Sequence, residues 1–246
     1  MTGDTLKQQA VDAQITKQLT EQTDHLLKDE ATEWSAIEAL WRPYVDKGDV
    51  EAQFRLADAY LDYDFDEGPE KDREMRNLLR TAADNGHHEA TYRLCNSYEE
   101  GTERDALLLK AGELGSIEAQ RDLGALYATG DWTGPKDPAQ GAEWYRKAAE
   151  RGHSDAQYNL GFMYLLGEGV PADPEEGLRW LNRSADQGKG LSFRLLADLY
   201  RHGYYGVPLD TKEADHWDKK YRIFNPEHWV RDRQAARDAQ SPDPIP

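Results

Sequence analysis

The chain is short of the residues that build covalent frameworks and anion-binding faces. One residue in 246 is cysteine, Cys95, which rules out an internal disulfide framework and a multi-cysteine metal site. It directly follows an apolar leucine in a helical pattern, so a packed thiol is expected. Basic residues are also scarce: 30 Lys and Arg face 47 Asp and Glu, for a formal net charge of −17. Binding to a phosphate backbone or an anionic membrane requires a basic face, so no nucleic acid and no membrane is expected as partner. A cationic protein surface fits instead, met by fast, salt-sensitive association. Long apolar runs are missing too. The opening segment MTGDTLKQQAVDAQITKQL has no continuous apolar core and reads as neither a secretory signal nor a membrane anchor; a cytoplasmic location is the expectation. Hydrophobic residues make up 38% and charged residues 31%, a low apolar share for a globular protein and a natural one for a thin stack with much surface.

A spaced signature, Ala-x-x-x-Leu-x-x-x-Tyr, runs through the chain. It occurs at Ala52/Leu56/Tyr60, Ala90/Leu94/Tyr98, Ala119/Leu123/Tyr127 and Ala156/Leu160/Tyr164, and a fifth copy, Ser192/Leu196/Tyr200, has serine in the alanine place. The copies are 38, 29, 37 and 36 residues apart. That period identifies stacked helical pairs, each unit burying its apolar face against its neighbours. Gly48, Gly86, Gly115, Gly152 and Gly188 each end a second helix, as glycine does at left-handed helix ends. Eight residues before them stand Leu40, Leu78, Leu107, Trp144 and Trp180, and Trp217 continues the series. Small residues follow this register (Ala82-Ala83, Ala148-Ala149, Ser184-Ala185), letting paired helices approach closely.

Residues 1–48 read as an N-terminal helical cap: an amphipathic helix with a patchy stripe of Leu6, Ala10, Ala13, Ile15, Leu19, Leu26 and Leu27, then a helix from Glu33 to Lys47 that Pro43 should distort or shorten. Residues 49–224 form the repeat array. Residues 225–246 hold a short charged helix, about 227–239, and the tail Ser241-Pro242-Asp243-Pro244-Ile245-Pro246. The loops Gly167-Glu168-Gly169-Val170-Pro171 and Gly203-Tyr204-Tyr205-Gly206-Val207-Pro208, the second with one insertion, lack the strand and the Lys-Ser/Thr of a phosphate loop; turn glycines with positive φ explain them.

The pattern Ala-x-x-x-Leu-Gly-x-x-Tyr, then Gly-x-Gly-Val, then Trp-x-x-x-Ala-Ala-x-x-Gly resembles the Sel-one-like repeats, relatives of tetratricopeptide repeats. Ala156 to Gly188 is nearly a full unit, with Gly177 where alanine is usual. The unit at Ala52 departs, with Asp62-Tyr63-Asp64-Phe65-Asp66-Glu67-Gly68 in place of the glycine loop; the unit at Ala90 is short. The resemblance implies an all-α, right-handed α-solenoid of about five units with helical caps. It implies scaffolding by protein–protein contact without catalysis. Similar bacterial proteins serve as regulators and as immunity proteins that neutralise secreted toxins. With the acidity, this points to an immunity (antitoxin-like) protein for a basic toxin or effector, the alternative being a general adaptor for a peptide or signalling protein.

Carrying over the tetratricopeptide groove positions places Glu51, Phe54, Asp58, Leu61 and Asp62 on an inner surface, followed by Glu89, Tyr92, Asn96, Glu99 and Glu100. Glu118, Arg121, Ala125 and Thr129 come next, then Asp155, Tyr158, Phe162, Leu165 and Leu166, and last Arg194, Asp198, Arg201 and His202. Carboxylates here interleave with aromatic rings, the residues that anchor most interfaces, although such rings can equally pack between units. Between Asp49 and Asp105 there are 16 acidic and 7 basic residues, making this the acidic pole. No cofactor is expected. The Asp62, Asp64, Asp66 spacing hints at a calcium loop but fails at Glu67 and Arg73, where glycine and a bidentate glutamate belong. His87-His88-Glu89 and His153-Ser154-Asp155 occupy equivalent turns, where capping roles are expected, and no metal-ligand or Ser-His-Asp spacing accompanies them. The sequence sets no oligomeric state.

Overall fold

The computed structural model describes residues 3–62, 69–131 and 133–226, apart from 28–33. Every regular element among them is helical: α1 (Gly3–Leu27), α2 (Trp34–Val45), α3 (Val50–Asp62), α4 (Pro69–Asp84), α5 (His88–Asn96), α6 (Thr102–Leu114), α7 (Ile117–Thr129), α8 (Pro138–Glu150), α9 (Ser154–Leu166), α10 (Pro174–Asp186), α11 (Gly190–His202) and α12 (Thr211–Phe224), with one 3-10 turn at Tyr204–Gly206. The chain divides into two compact units, Met1–Ala119 and Gln120–Pro246. Consecutive helices pack on one another, α1 through α6 in the first unit and α8 through α12 in the second. The charged helix and proline tail expected after Pro226, and the Asp64–Glu67 part of the acidic loop, lie outside the described residues.

One turn design recurs between repeats. Gly48, Gly86, Gly115, Gly152 and Gly188 all have φ between 80° and 103°, a left-handed conformation that only glycine adopts without strain. The residue after each glycine works twice. The backbone N–H of Asp49, His87, Ser116, His153 and Lys189 donates back to the carbonyl of Tyr44, Ala82, Ala111, Ala148 and Ser184 at 2.9–3.3 Å, closing one helix. The side chains of Asp49, His87, Ser116 and His153 then accept the N–H of the signature alanine three residues on, at 2.8, 3.1, 3.3 and 3.4 Å. Both histidines are therefore helix caps.

Across four of the five turns, all but the Gly48 turn with its Tyr44, small residues eight apart are buried in the core. Ala82 with Ala90, Ala111 with Ala119 and Ala148 with Ala156 are completely buried. The serine in the fifth signature is part of such a pair. Ser192 Oγ donates to Ser184 Oγ at 2.7 Å, and Ser184 Oγ donates to the Ser154 carbonyl at 2.8 Å, so both buried hydroxyls are satisfied.

Within a repeat the two helices approach through glycines. A Cβ on Gly161 would lie 2.8 Å from the Gly177 carbonyl oxygen, and one on Gly177 would lie 2.9 Å from that of Gly161. One repeat earlier a Cβ on Gly141 would lie 2.9 Å from the Ala128 backbone nitrogen and 3.0 Å from the Gly124 carbonyl oxygen, and one on Gly124 would meet the Tyr145 ring. The signature tyrosines tie the units further. Tyr127, Tyr164 and Tyr200 accept, through their carbonyls, the N–H of Asp137, Asp173 and Asp210 at 2.8–2.9 Å, and those aspartates cap α8, α10 and α12. The hydroxyls of Tyr60, Tyr98 and Tyr164 take a hydrogen bond from an arginine 18 residues earlier: Arg42, Arg80 and Arg146. Three register tryptophans carry a cation over the ring from position i+3: Lys147 on Trp144, Arg183 on Trp180 and Lys220 on Trp217.

Pro43 lies inside α2, which ends two residues later at Val45, short of the Lys47 end read from the sequence. One expectation needs correction. In the short second repeat, α5 stops at Asn96, four residues before the thirteen-residue length of α3, α7, α9 and α11. Ser97 Oγ donates to the Leu94 carbonyl at 2.7 Å, and Tyr98, Glu99 and Glu100 leave the helical register. The cap helix α1 docks partly through a residue its apolar stripe omits. Thr23 is buried and accepts the Trp41 indole N–H at 2.8 Å, while Leu19 and Leu26 pack alongside on the core.

Two stability measurements check this packing. Gly161→Ala gains about 1 kcal/mol of helix propensity but drives a methyl into a backbone carbonyl, at about 1–3 kcal/mol plus displacement of α10; urea unfolding should show a net loss. Ser184→Ala strands the Ser192 hydroxyl and should cost about 1–3 kcal/mol. Ser192→Ala should cost less, and the double variant, which recreates the alanine pair, should lie closer to the parent than Ser184→Ala does.

Candidate functional site

In the first unit four of the expected groove residues, Glu51, Phe54, Asp58 and Glu89, are engaged by neighbouring side chains. His87 Nδ1 is occupied as the α5 cap, so Nε2 carries the proton and donates to Glu51 Oε2 at 2.9 Å. Arg55 donates to the same carboxylate at 2.7 Å. The His87 ring stacks on Phe54 with centroids 4.4 Å apart, and Arg55 lies over the Phe54 ring. Phe54 is only 5% exposed: it fills the gap between repeats and does not present a free anchor, because its helix position faces the following turn. Asp58 pairs with Arg93 at 3.0 Å and Glu89 with His88 at 2.9 Å. Tyr92 is half-buried; Asn96 and Glu118 are exposed. Glu99 and Glu100 are exposed beyond the end of α5, and the side chain of Asp62 lies outside the described residues. The charge is strongly uneven: residues 1–119 hold 27 acidic and 13 basic groups, net −14, and residues 120–246 hold 20 and 17, net −3.

The second unit has a different surface. Arg121 pairs with Asp122 at 2.5 Å, Asp155 with Lys189, and Arg201 with Asp218 at 2.5 Å and Asp198 at 3.4 Å. With the charges neutralised, rings dominate. Tyr158 and Phe162 lie nearly parallel with centroids 6.5 Å apart, and Tyr205 meets Phe162 edge-on at 6.5 Å. Tyr204 follows Tyr205 at 6.3 Å, and His202 stacks on Tyr204 at 5.1 Å. Burial raises the Tyr158 phenol above its ordinary pKa, with Arg194 opposing. Leu165 is buried and Leu166 exposed. Sequence reasoning missed Tyr204 and Tyr205 as surface residues; the inserted residue in their loop was the signal. The insertion is accommodated at Tyr205, which has φ 54°, an uncommon conformation for a bulky side chain.

The densest convergent polar cluster ties α2, α3 and α4 together. Arg42 bonds Glu38, Glu74 at 2.6 Å and Tyr60 at 3.4 Å; Lys71 bonds Glu38 at 3.1 Å and Tyr60 at 3.3 Å. Burial alone would raise the Glu38 pKa, but the contacts with Arg42 and Lys71 outweigh it and hold the carboxyl low. These groups satisfy one another as an interhelical clasp. Among the described residues, no group of three His, Cys, Asp or Glu side chains is placed to hold a metal ion, and no helix is long and apolar enough to cross a membrane. Cys95 is buried, its Sγ 3.4 Å from the Arg104 carbonyl.

The Glu51 carboxyl gives a pH test. Its hydrogen bond from His87, opposed by burial and aided by Arg55, holds its pKa below the ordinary 4.5. A depressed folded-state value stabilises the fold fully above about pH 4.5 and loses that contribution as pH falls through the folded value. Glu51→Gln should therefore reduce the stability difference between pH 7 and pH 3; an identical acid profile for both proteins would remove this role.

The Sel1 repeat pattern matches residues 50–87, 88–116, 117–153, 154–189 and 194–217. The fold is similar to that of a Sel1 repeat protein from Oxalobacter formigenes, at 24% identity over 91% of each chain and a TM-score of 0.68. It is also similar to a protective antigen of uropathogenic Escherichia coli with the same repeat fold, at 25% identity, 87% of this chain, 46% of that one and a TM-score of 0.68. An immunity protein from Pseudomonas aeruginosa matches at 19% identity over 86% of this chain and 82% of that one, with a TM-score of 0.56. No curated protein sequence matches. Five matched repeats cover most of the chain: the chain belongs to the Sel1 repeat family.

Proposed function

We propose that this chain is a non-enzymatic protein-binding module whose first unit docks a basic protein, and that it acts in the cytoplasm as an immunity protein that neutralises a cationic toxin or effector. The observation that carries this reading is the concentration of charge: a net −14 in residues 1–119 out of −17 overall. Like charges held on one surface raise the encounter rate with a cationic partner and repel anionic ones. Exposed Glu99 and Glu100, released from the helical register by the short second repeat, can bend toward a partner's lysines and arginines. Occupying a toxin's substrate surface would suffice for neutralisation, and no chemistry is needed. The shared fold of an immunity protein from Pseudomonas aeruginosa agrees with this role. The exposed rings of the second unit favour a second reading, an adaptor that holds a peptide.

Affinity capture from the native host, followed by titration of the purified partner, separates the two readings. For a basic partner on the acidic unit, Glu89→Lys/Glu99→Lys/Glu100→Lys should weaken binding by about tenfold or more, since each reversed charge turns an attraction into a repulsion, and the parent affinity should fall steeply with salt. Unchanged affinity in the triple variant would reject the acidic unit as the docking face. An affinity indifferent to salt and lost in Tyr204→Ala/Tyr205→Ala would establish the adaptor reading.

A further inference from the structure

The large residue of the packing register is tryptophan in three places, and each indole carries a cation from the third residue on. Lys147, Arg183 and Lys220 lie 3.5, 4.6 and 4.3 Å from the ring centroids of Trp144, Trp180 and Trp217, and all three rings are 8% exposed or less. In the first unit the register holds Leu40, Leu78 and Leu107 instead. Pro43 and Thr81 stand three residues after the first two, but Lys110 stands three after Leu107. Helix α6 therefore keeps the cation of the motif and lacks its ring.

The space beside Leu107 is open. A cleft of about 340 Å³ lies there, lined from α4, α5 and α6; ligand clefts begin at about 300 Å³. Leu94 in its lining is buried and Leu107 half-buried, with Ala106 exposed. Tyr98 and Arg80 also line it, the guanidinium donating to the tyrosine hydroxyl. Lys110 Nζ donates to the Ala83 carbonyl at 3.1 Å and lies 4.0 Å from the Asp84 carboxylate. A cation at the last turn of α4 is favoured there by the helix dipole.

The lining selects for an uncharged ring. Its two cations, Arg80 and Lys110, are matched by two carboxylates, Asp84 and Glu103, so an occupant needs no charge of its own. The leucines give apolar contact that any hydrophobic side chain could use. An aromatic ring uses the rest as well, because its face attracts cations and its edge attracts carboxylates. Beyond Tyr98 in the chain, Glu99 and Glu100 are exposed, which favours lysine or arginine beside the ring on the occupant.

We infer that the cleft at Leu107 receives an aromatic side chain of the partner protein, seated against Lys110 as the indoles of α8, α10 and α12 sit against their own cations. The basic flank of that side chain rests on the acidic-unit reading proposed above; the ring itself does not.

The test uses the full chain and two probes, indole and the peptide N-acetyl-Lys-Trp-Lys-amide, followed by NMR at the methyl groups of Leu94, Ala106 and Leu107. Both probes should shift these methyls saturably. The peptide should bind about tenfold more tightly than indole at low salt, and Glu99→Lys/Glu100→Lys should remove that advantage without changing the affinity for indole. Leu107→Trp supplies the missing ring from within: its thermal midpoint should equal or exceed the parent's, and it should exclude both probes. Lys110→Met keeps the apolar stem and removes the charge, and should weaken indole binding by about two- to fivefold, the worth of an exposed cation–π contact. Absence of saturable shifts at the three methyls would overturn the proposal. So would indole affinity left unchanged by Leu107→Trp or by Lys110→Met. If indole binds and the peptide gains nothing over it, the acidic-unit reading fails and the ring site stands.

Discussion

Four of the five inter-repeat turns rest on one residue acting at two helix ends. Its N–H closes the preceding helix across a left-handed glycine, and its side chain caps the next one; at the fifth, Lys189 closes the first helix without a side-chain cap on the second. That shared residue helps set the distance between successive helices, and at four of the turns the positions eight apart are small and buried. A buried hydroxyl there has a partner, as at Ser184 and Ser192. Packing, capping and turn geometry are one constraint seen at three scales.

The constraint leaves the outward residues free to differ, and the two units use that freedom in opposite ways. The first collects carboxylates, and many of its groove positions are held in internal pairs such as Glu51 with His87 and Asp58 with Arg93. Its unspent charge projects where the short repeat releases Glu99 and Glu100 from α5. The second unit balances its charges locally and presents rings. Loop length controls both outcomes: a shortened connection frees acidic side chains, and an inserted residue lifts Tyr204 and Tyr205 into solvent.

Much of the fold was legible because its causes are local. A left-handed turn needs glycine, a cap needs a short polar acceptor, and a close helix contact needs a small residue, so all three leave marks at constant spacing. Thr23 was not legible, since its value lies in meeting the indole of Trp41 eighteen positions away. The same distance separates the arginines from the tyrosine hydroxyls they hold, and no local pattern marks that pairing.

By itself the amino-acid order determined the helical repeats, the turns between them, the buried thiol and the acidic balance, because each follows from neighbours within a few helical turns. Tertiary structure alone decided which candidate side chains are spent on internal contacts and which remain exposed. Phe54 and Tyr158 occupy comparable positions in the chain, yet one is sealed beneath His87 and the other opens a strip of rings. That difference arises where separate segments converge, and contacts made through space set burial.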